Sequence, residues 1–371
     1  MKKILCICIL LLIFSICLEG CSNYTEINNV TFATSIIFDK DDYDNIVLYL
    51  DCVSPYRSTN ESSDKGRRII FEGKGKTVLE AIRNISSQSS NRINYSQVKA
   101  YIFTEHTAVE GLQKFVDIIA NNQELSINPY IFIYYGDTKS LIETTNKDEN
   151  YLGLYLYQLV ETNKKNASVI SSNVNDFINQ SLSGNKISVV SAIELKEDVT
   201  DKKVRLNGGV IMQNKKLKEK IEKSDVFAYN LLTKRTDSGT FEVTNPNEKE
   251  NFLTFDILNS KINNKISYNQ GTIKLNKKVD IKISVGEVQG NFYFDKDTLQ
   301  YMKAQQEERL QKFLEGFYND YKKKDIDILN INKLTFQRYQ NINLENYLNN
   351  SDIEVSVNLS IDGSSIIKDS L

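Results

Sequence analysis

The sequence predicts a multi-domain α+β protein, with three domains of mixed sheets packed with helices behind an N-terminal signal peptide. Three observations lead there. The chain has 371 residues, too many for one compact core. It is 40% hydrophobic and 25% charged, the balance of a folded chain rather than a disordered one. Apolar runs of β type alternate with helix-period segments up to about residue 198; strands then dominate, and a long helical period opens near residue 297. These changes set the expected borders: 1–20 signal peptide, 21–198 an N-terminal mixed α/β domain, 199–290 a mostly β middle domain, and 291–371 an α+β domain with a long helix.

The first element is the leader. Lys2 and Lys3 precede an apolar run over residues 4–18, followed by Glu19, Gly20 and Cys21. A basic start, a short apolar core and a small residue at the cut make a secretory signal peptide. The run is shorter than the roughly 20 residues of a spanning helix. Leu18, Glu19, Gly20 and Cys21 resemble the lipobox of bacterial lipoproteins, although Glu19 stands where a small residue is usual. The resemblance implies a diacylglyceryl thioether on Cys21 and a cut just before it. Acyl chains such as palmitate contribute ~0.8 kcal/mol per buried methylene, and two or more hold a folded domain firmly on a bilayer. Of five cysteines, Cys6, Cys8 and Cys17 leave with the leader. Cys52 is then the one free thiol, and no internal disulfide is expected. Its residue type in an apolar run reads as a small buried strand residue.

Segments 31–39 and 46–53 read as strands. The acidic turn between them departs from a calcium loop: Asp44 stands at the sixth position and Leu50 at the twelfth, where Gly and Glu are required. Residues 54–66 show no apolar period and read as a loop. A strand at 68–72 and a helix at 77–90, with Val78, Leu79, Ile82 and Ile85 on one face, flank Gly73-Lys-Gly-Lys-Thr77. A phosphate-binding loop needs a glycine where Ile70 stands, so this is a tight strand-to-helix turn. Next come a strand at 97–104, a helix at 107–120, a strand at 130–135, a Tyr-rich apolar helix at 151–160 and a short helix at 174–182. The Tyr-rich helix is apolar widely around its circumference, as a buried helix or a partner surface is.

In the second half, 186–195 and 204–212 read as strands, with a bulge at Gly208-Gly209, and 224–232 as a helix. Strands follow at 240–244, 252–260 and 272–285; the last alternates so that one face meets solvent. The long helix spans 297–324, about 40 Å, and strands are expected at 334–339 and 353–361. The lysine runs at 215–216 and 322–324 read as solvated.

Little here is catalytic. His106 is the single histidine and stands before a helix without a second ligand at metal-binding spacing. No Gly-x-Ser-x-Gly occurs. Carboxylates are many and form no diagnostic pattern. The net charge of −2 gives no electrostatic case for nucleic acid. No catalytic residue, cofactor or metal site is assigned, and a non-enzymatic protein is expected.

Several stretches together resemble the Ger(x)C family, the lipoprotein C subunits of spore germinant receptors. The turn and helix over residues 72–86, beginning Glu72-Gly-Lys-Gly-Lys-Thr77, are the most specific match. Glu26-Ile27 after the cysteine, Leu206-Asn-Gly-Gly-Val-Ile-Met212, and the long helix followed by Asp325-Ile-Asp327 add to it. The resemblance implies a lipid-anchored subunit on the outer face of the spore inner membrane, contacting integral A and B receptor subunits and supporting nutrient-triggered germination. The Tyr-rich helix near Tyr151 and the strand edges of the second half are the expected contact surfaces. The alternative is a substrate-binding lipoprotein of an importer, which requires two lobes around a deep cleft. A third, a lipid-anchored cell-wall hydrolase with paired carboxylates, has no supporting motif.

Overall fold

The computed structural model describes residues 29–54, 66–144, 149–197, 202–292, 295–339, 342 and 345–362. The signal peptide, Cys21 and residues 55–65 of the expected loop lie outside them.

Nine strands form the first sheet: β1 (Val30–Lys40), β2 (Ile46–Ser54), β3 (Arg67–Gly75), β4 (Arg92–Asn94), β5 (Ala100–Thr104), β6 (Tyr130–Tyr135), β7 (Ile187–Glu197), β8 (Lys202–Gln213) and β9 (Lys216–Ile221). Their order is β3-β2-β1-β5-β6-β7-β8-β9, with β4 also beside β1. The four central strands β1, β5, β6 and β7 are parallel. Antiparallel strands flank them on both sides. Strands in a parallel centre are covered on both faces and read as unbroken apolar runs, as in Ala-Tyr-Ile-Phe-Thr of β5. The Gly208 bulge is present: β7 and β8 lose register between Ser191 and Ile193, opposite Gly208, whose φ is 74°.

On one face lie α1 (Val78–Gln88), α2 (Glu105–Glu110) and α3 (Gln113–Asn121). Their apolar stripes meet Phe38, Tyr101 and Phe103. The opposite face carries α4 (Thr138–Glu143) and α5 (Leu152–Asn163), which pack Leu141, Leu152, Leu156 and Val160 on Ile37, Ile102 and Phe132. The chain then returns to the first face as α6 (Val174–Ser181).

Beyond β9, α7 (Lys223–Thr233) leads to the second sheet, β10 (Thr240–Thr244), β11 (Phe252–Asn269), β12 (Thr272–Val288) and β13 (Ser351–Ile361), in that spatial order. β11 and β12 are a long hairpin closed by Gln270 and Gly271, both at positive φ (48° and 86°), the two-residue turn that suits strand twist. α8 (Lys296–Lys323) crosses over between the parallel strands β12 and β13, followed by α9 (Ile331–Arg338). β12 alternates as expected. Ile273, Leu275, Val279 and Ile281 are buried, while Lys274 and Lys282 face outward and pair with Glu354 (2.7 Å) and Asp362 (2.6 Å). One apolar cluster runs from Ile187, Val189, Ile211 and Ile221 of the first sheet through α7 into the second. β8 and β9 thus belong to the first sheet, and β12 and β13, on either side of residue 290, share one.

Four readings are corrected. The helix expected at 107–120 is two, because Gly111 at φ 121° breaks it and Leu112 N–H donates to Lys215 O at 2.8 Å. The strand expected at 334–339 is α9: buried Asp327 accepts from Ile331 N (2.8 Å) and Asn332 N (3.0 Å) and caps a helix there. The lysines at 215–216 are not simply a solvated run. Lys215 is buried and Lys216 opens β9. Of the second lysine run, Lys322 is largely covered and donates to Ser351 O.

The turn after β3 is structural. A Cβ at Gly73 would lie 2.4 Å from Ala81 O, so glycine lets α1 pack directly on the strand. Thr77 caps α1 through Glu80 N (3.1 Å), and Glu80 returns a bond to Lys76 N (2.7 Å).

Candidate functional site

Cys21, the expected lipidation residue, lies outside the described residues; the candidate contact elements and what holds them lie within. The Tyr-rich helix is α5, and it is seated on β1 by an unusually close approach. Thr34 is the extra residue of a bulge in β1, between Ala33 opposite Cys52 and Ser35 opposite Asp51. Its carbonyl accepts from Lys99 N at 2.8 Å and its hydroxyl donates to Asp51 O at 2.9 Å. Gly153 sits against that carbonyl: a Cβ there would be 1.9 Å from Thr34 O.

The start of α5 is held by Asp51, which is 1% exposed. One carboxylate oxygen accepts from Leu152 N at 2.6 Å. The other accepts from Arg68 Nε at 3.0 Å, and Arg68 also donates to Thr144 O at 3.2 Å. A carboxylate at a helix N-terminus is favoured by the helix dipole. Burial pushes the Asp51 carboxyl above its ordinary range, against the opposing pull of Arg68 and Leu152 N. Tyr151 OH donates to Gly66 O, and Tyr155 OH to Val204 O at 3.1 Å. The tyrosines on this helix therefore mostly fasten it to the sheet. Tyr157 is the one that faces solvent, at 37% exposure, with Lys99 Nζ 5.5 Å from its ring.

The carboxyl ends of parallel strands are where open α/β sheets bind ligands. Here that end is tied by Asp39, which accepts from Thr104 Oγ1 (2.8 Å) and Thr138 Oγ1 (2.6 Å) and so joins β1, β5 and α4. His106 stands nearby in the first turn of α2, 59% exposed, with Nε2 3.2 Å from Glu110 Oε1. It is a surface residue paired along its helix. Asp41 of the acidic turn accepts from Tyr43 N (3.0 Å) and Asn45 N (2.9 Å), which makes it a turn-former. Among the described residues no three His, Cys, Asp or Glu side chains form a metal-binding group. Cys52 is a free thiol, 0% exposed in β2, and burial pushes it up in pKa.

Sequence reasoning missed the buried charges, although each left a trace. Asp51 is the one charge inside an apolar strand. Lys277 falls on the apolar phase of β12, between Leu275 and Val279. It is 3% exposed and donates to Leu232 O (2.7 Å) at the C-terminus of α7 and to Asn264 Oδ1 (3.0 Å). Burial brings its pKa down to about 8, and that of Lys234 at the same helix end to about 8. Both folded values lie below the unfolded one, so between about pH 8 and 10.5 these two lysines bind more protons in the unfolded chain and their own contribution to stability rises with pH. Lys277→Met is expected to remove about 2 kcal/mol of that rise, read as the difference between the two proteins' urea-unfolding free energies at pH 7.5 and 10. An unchanged pH dependence in the variant would refute the assignment.

Two family models cover most of the chain. A spore germination protein N-terminal domain matches residues 23–195, and a spore germination B3/GerAC-like C-terminal domain matches 207–365. The chain belongs to the Ger(x)C family of spore germination proteins. Among Ger(x)C relatives, the chain is 23% identical to spore germination protein GerQC of Bacillus cereus over 279 residues, 75% of each chain. It is 21% identical to spore germination protein A3 of Bacillus subtilis over 73% of this chain and 70% of that one. The crystal structure of the GerBC protein superposes with a TM-score of 0.58 at 14% identity, covering 88% of this chain and 96% of that one. The Ger(x)C fold is thus shared although few residues are. The C-terminal family segment begins inside β8, so it contributes its first strands to the first sheet.

Proposed function

We propose that this chain is a lipid-anchored, non-enzymatic subunit of a membrane germinant receptor, supporting nutrient-triggered spore germination through contacts with integral A and B subunits. Family membership over both halves carries the reading, and the lipobox-like residues 18–21 supply the anchor. Among the described residues no helix is long and apolar enough to cross a membrane; in this reading the lipid on Cys21 is the attachment. The eight residues between Cys21 and Val30 reach at most about 30 Å. That holds the first sheet beside the outer face of the spore inner membrane and raises its effective concentration at membrane partners. The exposed side of α5, around Tyr157, is the proposed contact face.

Crosslinking of intact dormant spores, followed by capture of this protein from the membrane fraction, tests the reading. Recovery of integral receptor subunits is expected, and Cys21→Ala is expected to shift the protein from the membrane to the soluble fraction. Recovery of importer permease subunits instead would move the assignment to a substrate-binding lipoprotein.

A further inference from the structure

β13 is the last strand of its sheet, and an edge strand offers a row of backbone groups to any other extended chain. Asp362 N donates to Ile283 O at 2.8 Å, so the even-numbered amides of this stretch point at β12 and the odd-numbered ones point outward. Two of the outward amides are occupied by side chains. Val355 N donates to Glu315 Oε1 at 2.9 Å and Leu359 N to Glu307 Oε1 at 2.7 Å. An outward carbonyl is occupied too: Ser351 O accepts from Lys322 Nζ. All three side chains come from α8.

The spacing explains how one helix reaches three points along a strand. Glu307 to Glu315 is eight helical residues, about 12 Å. Leu359 to Val355 is four strand residues, about 13 Å. Lys322 lies about 10 Å further along the helix, and Ser351 lies four residues further along the strand. Helix and strand therefore run antiparallel with matched repeats. Carboxylates meet amides and an ammonium meets a carbonyl, so charge agrees with backbone polarity at each point. Other side chains order the set: Gln311 Nε2 donates to Glu315 Oε1 at 3.2 Å, and Lys303 Nζ lies 3.6 Å from Glu307 Oε1.

We propose that Glu307, Glu315 and Lys322 stand in for a fifth strand and keep a second copy of this chain from pairing edge to edge on β13. The outer face of this sheet is polar, and its inner face is filled by Leu314, Phe317 and Tyr318 of α8. The backbone edge is what a second copy would use. Of the second-half edges expected as contact surfaces, this one is occupied from within.

The test uses the full chain in detergent. In the unaltered protein, the amides of Val355 and Leu359 are expected to exchange with solvent at least about tenfold more slowly than those of Ile353 and Val357, outward neighbours on which no side-chain acceptor is placed among the described residues. Equal rates would overturn the proposal without any variant. Glu307→Ala with Glu315→Ala is expected to lose that protection and to dimerise, by light scattering, at about a tenfold lower concentration than the parent. Glu308→Ala, an exposed neighbour, is expected to change neither. A folded double variant that stays monomeric at the parent's concentrations would also overturn it.

Discussion

Gly153→Ala is expected to destabilise the protein by at least about 3 kcal/mol, the upper range for overpacking. The added carbon would lie 1.9 Å from Thr34 O and 2.3 Å from Thr34 C. Both are backbone atoms, so no rotamer change relieves the contact. Thr34 cannot retreat cheaply either, because its carbonyl holds Lys99 N and its hydroxyl holds Asp51 O. The helix must lift, and Leu152, Leu156 and Val160 lose contact with Ile37 and Ile102. Urea unfolding measures the loss, and a cost below about 1 kcal/mol would contradict the geometry. Gly316 is the internal comparison. It lies within α8, with nothing within 4 Å of its added carbon. Alanine there is expected to stabilise by up to about 1 kcal/mol through helix propensity alone.

Asp51→Ala is expected to cost about 3–5 kcal/mol, the penalty for leaving one partner of a buried ion pair uncompensated. The Arg68 side chain is 15% exposed and, among the described residues, keeps Thr144 O. Leu152 N loses its acceptor at the start of α5. Burial already strains this carboxylate toward its neutral form, so the pair adds little absolute stability and is nonetheless costly to break. Asp51→Leu with Arg68→Leu is expected to recover much of the loss, because the orphaned charge is gone; the Leu152 amide and the Thr144 carbonyl then lose these partners, the amide at a cost of about 1–3 kcal/mol. Equilibrium unfolding of the single and double variants checks this. A double variant no better than Asp51→Ala would show that the charge is not the source.

The strands and helices that sequence pattern located are those whose partners lie nearby or whose burial is uniform. β5 and β6 are continuous apolar runs because helices cover both faces. β12 alternates because one face meets solvent. α1 is legible from its cap and its stripe of Val78, Ile82 and Ile85, although Leu79, read onto the same face, is exposed. What was not legible depends on residues far apart in the chain. α9 has a β-like composition and is helical because Asp327 caps it and Tyr347 OH, 3.0 Å away, holds that carboxylate. β9 carries alternating lysines that suit an edge strand, but no strand is read there from the sequence, and Lys216 falls in a run read as solvated charge. The Tyr-rich helix was found, but which of its tyrosines face inward is decided by Gly153 and the bulge at Thr34. The guards on β13 follow no local rule, because a helix spacing of eight residues matches a strand spacing of four only once the two lie side by side.

The first sheet has all its strands once Ile221 has been synthesised. The second cannot finish so early. β11 and β12 zip from their own tight turn, but β12 then waits for Ser351–Ile361, which begins 63 residues after Val288. Loop closure over that span is slow compared with a hairpin. A growing chain therefore passes through a stage in which one half has its full complement of strands and the other shows the backbone edge of β12 to whatever is near. Premature termination between β12 and β13 leaves the chain in that state permanently. Stop codons late in the reading frame are thus as damaging to the second half as early ones, while the first sheet is indifferent to them.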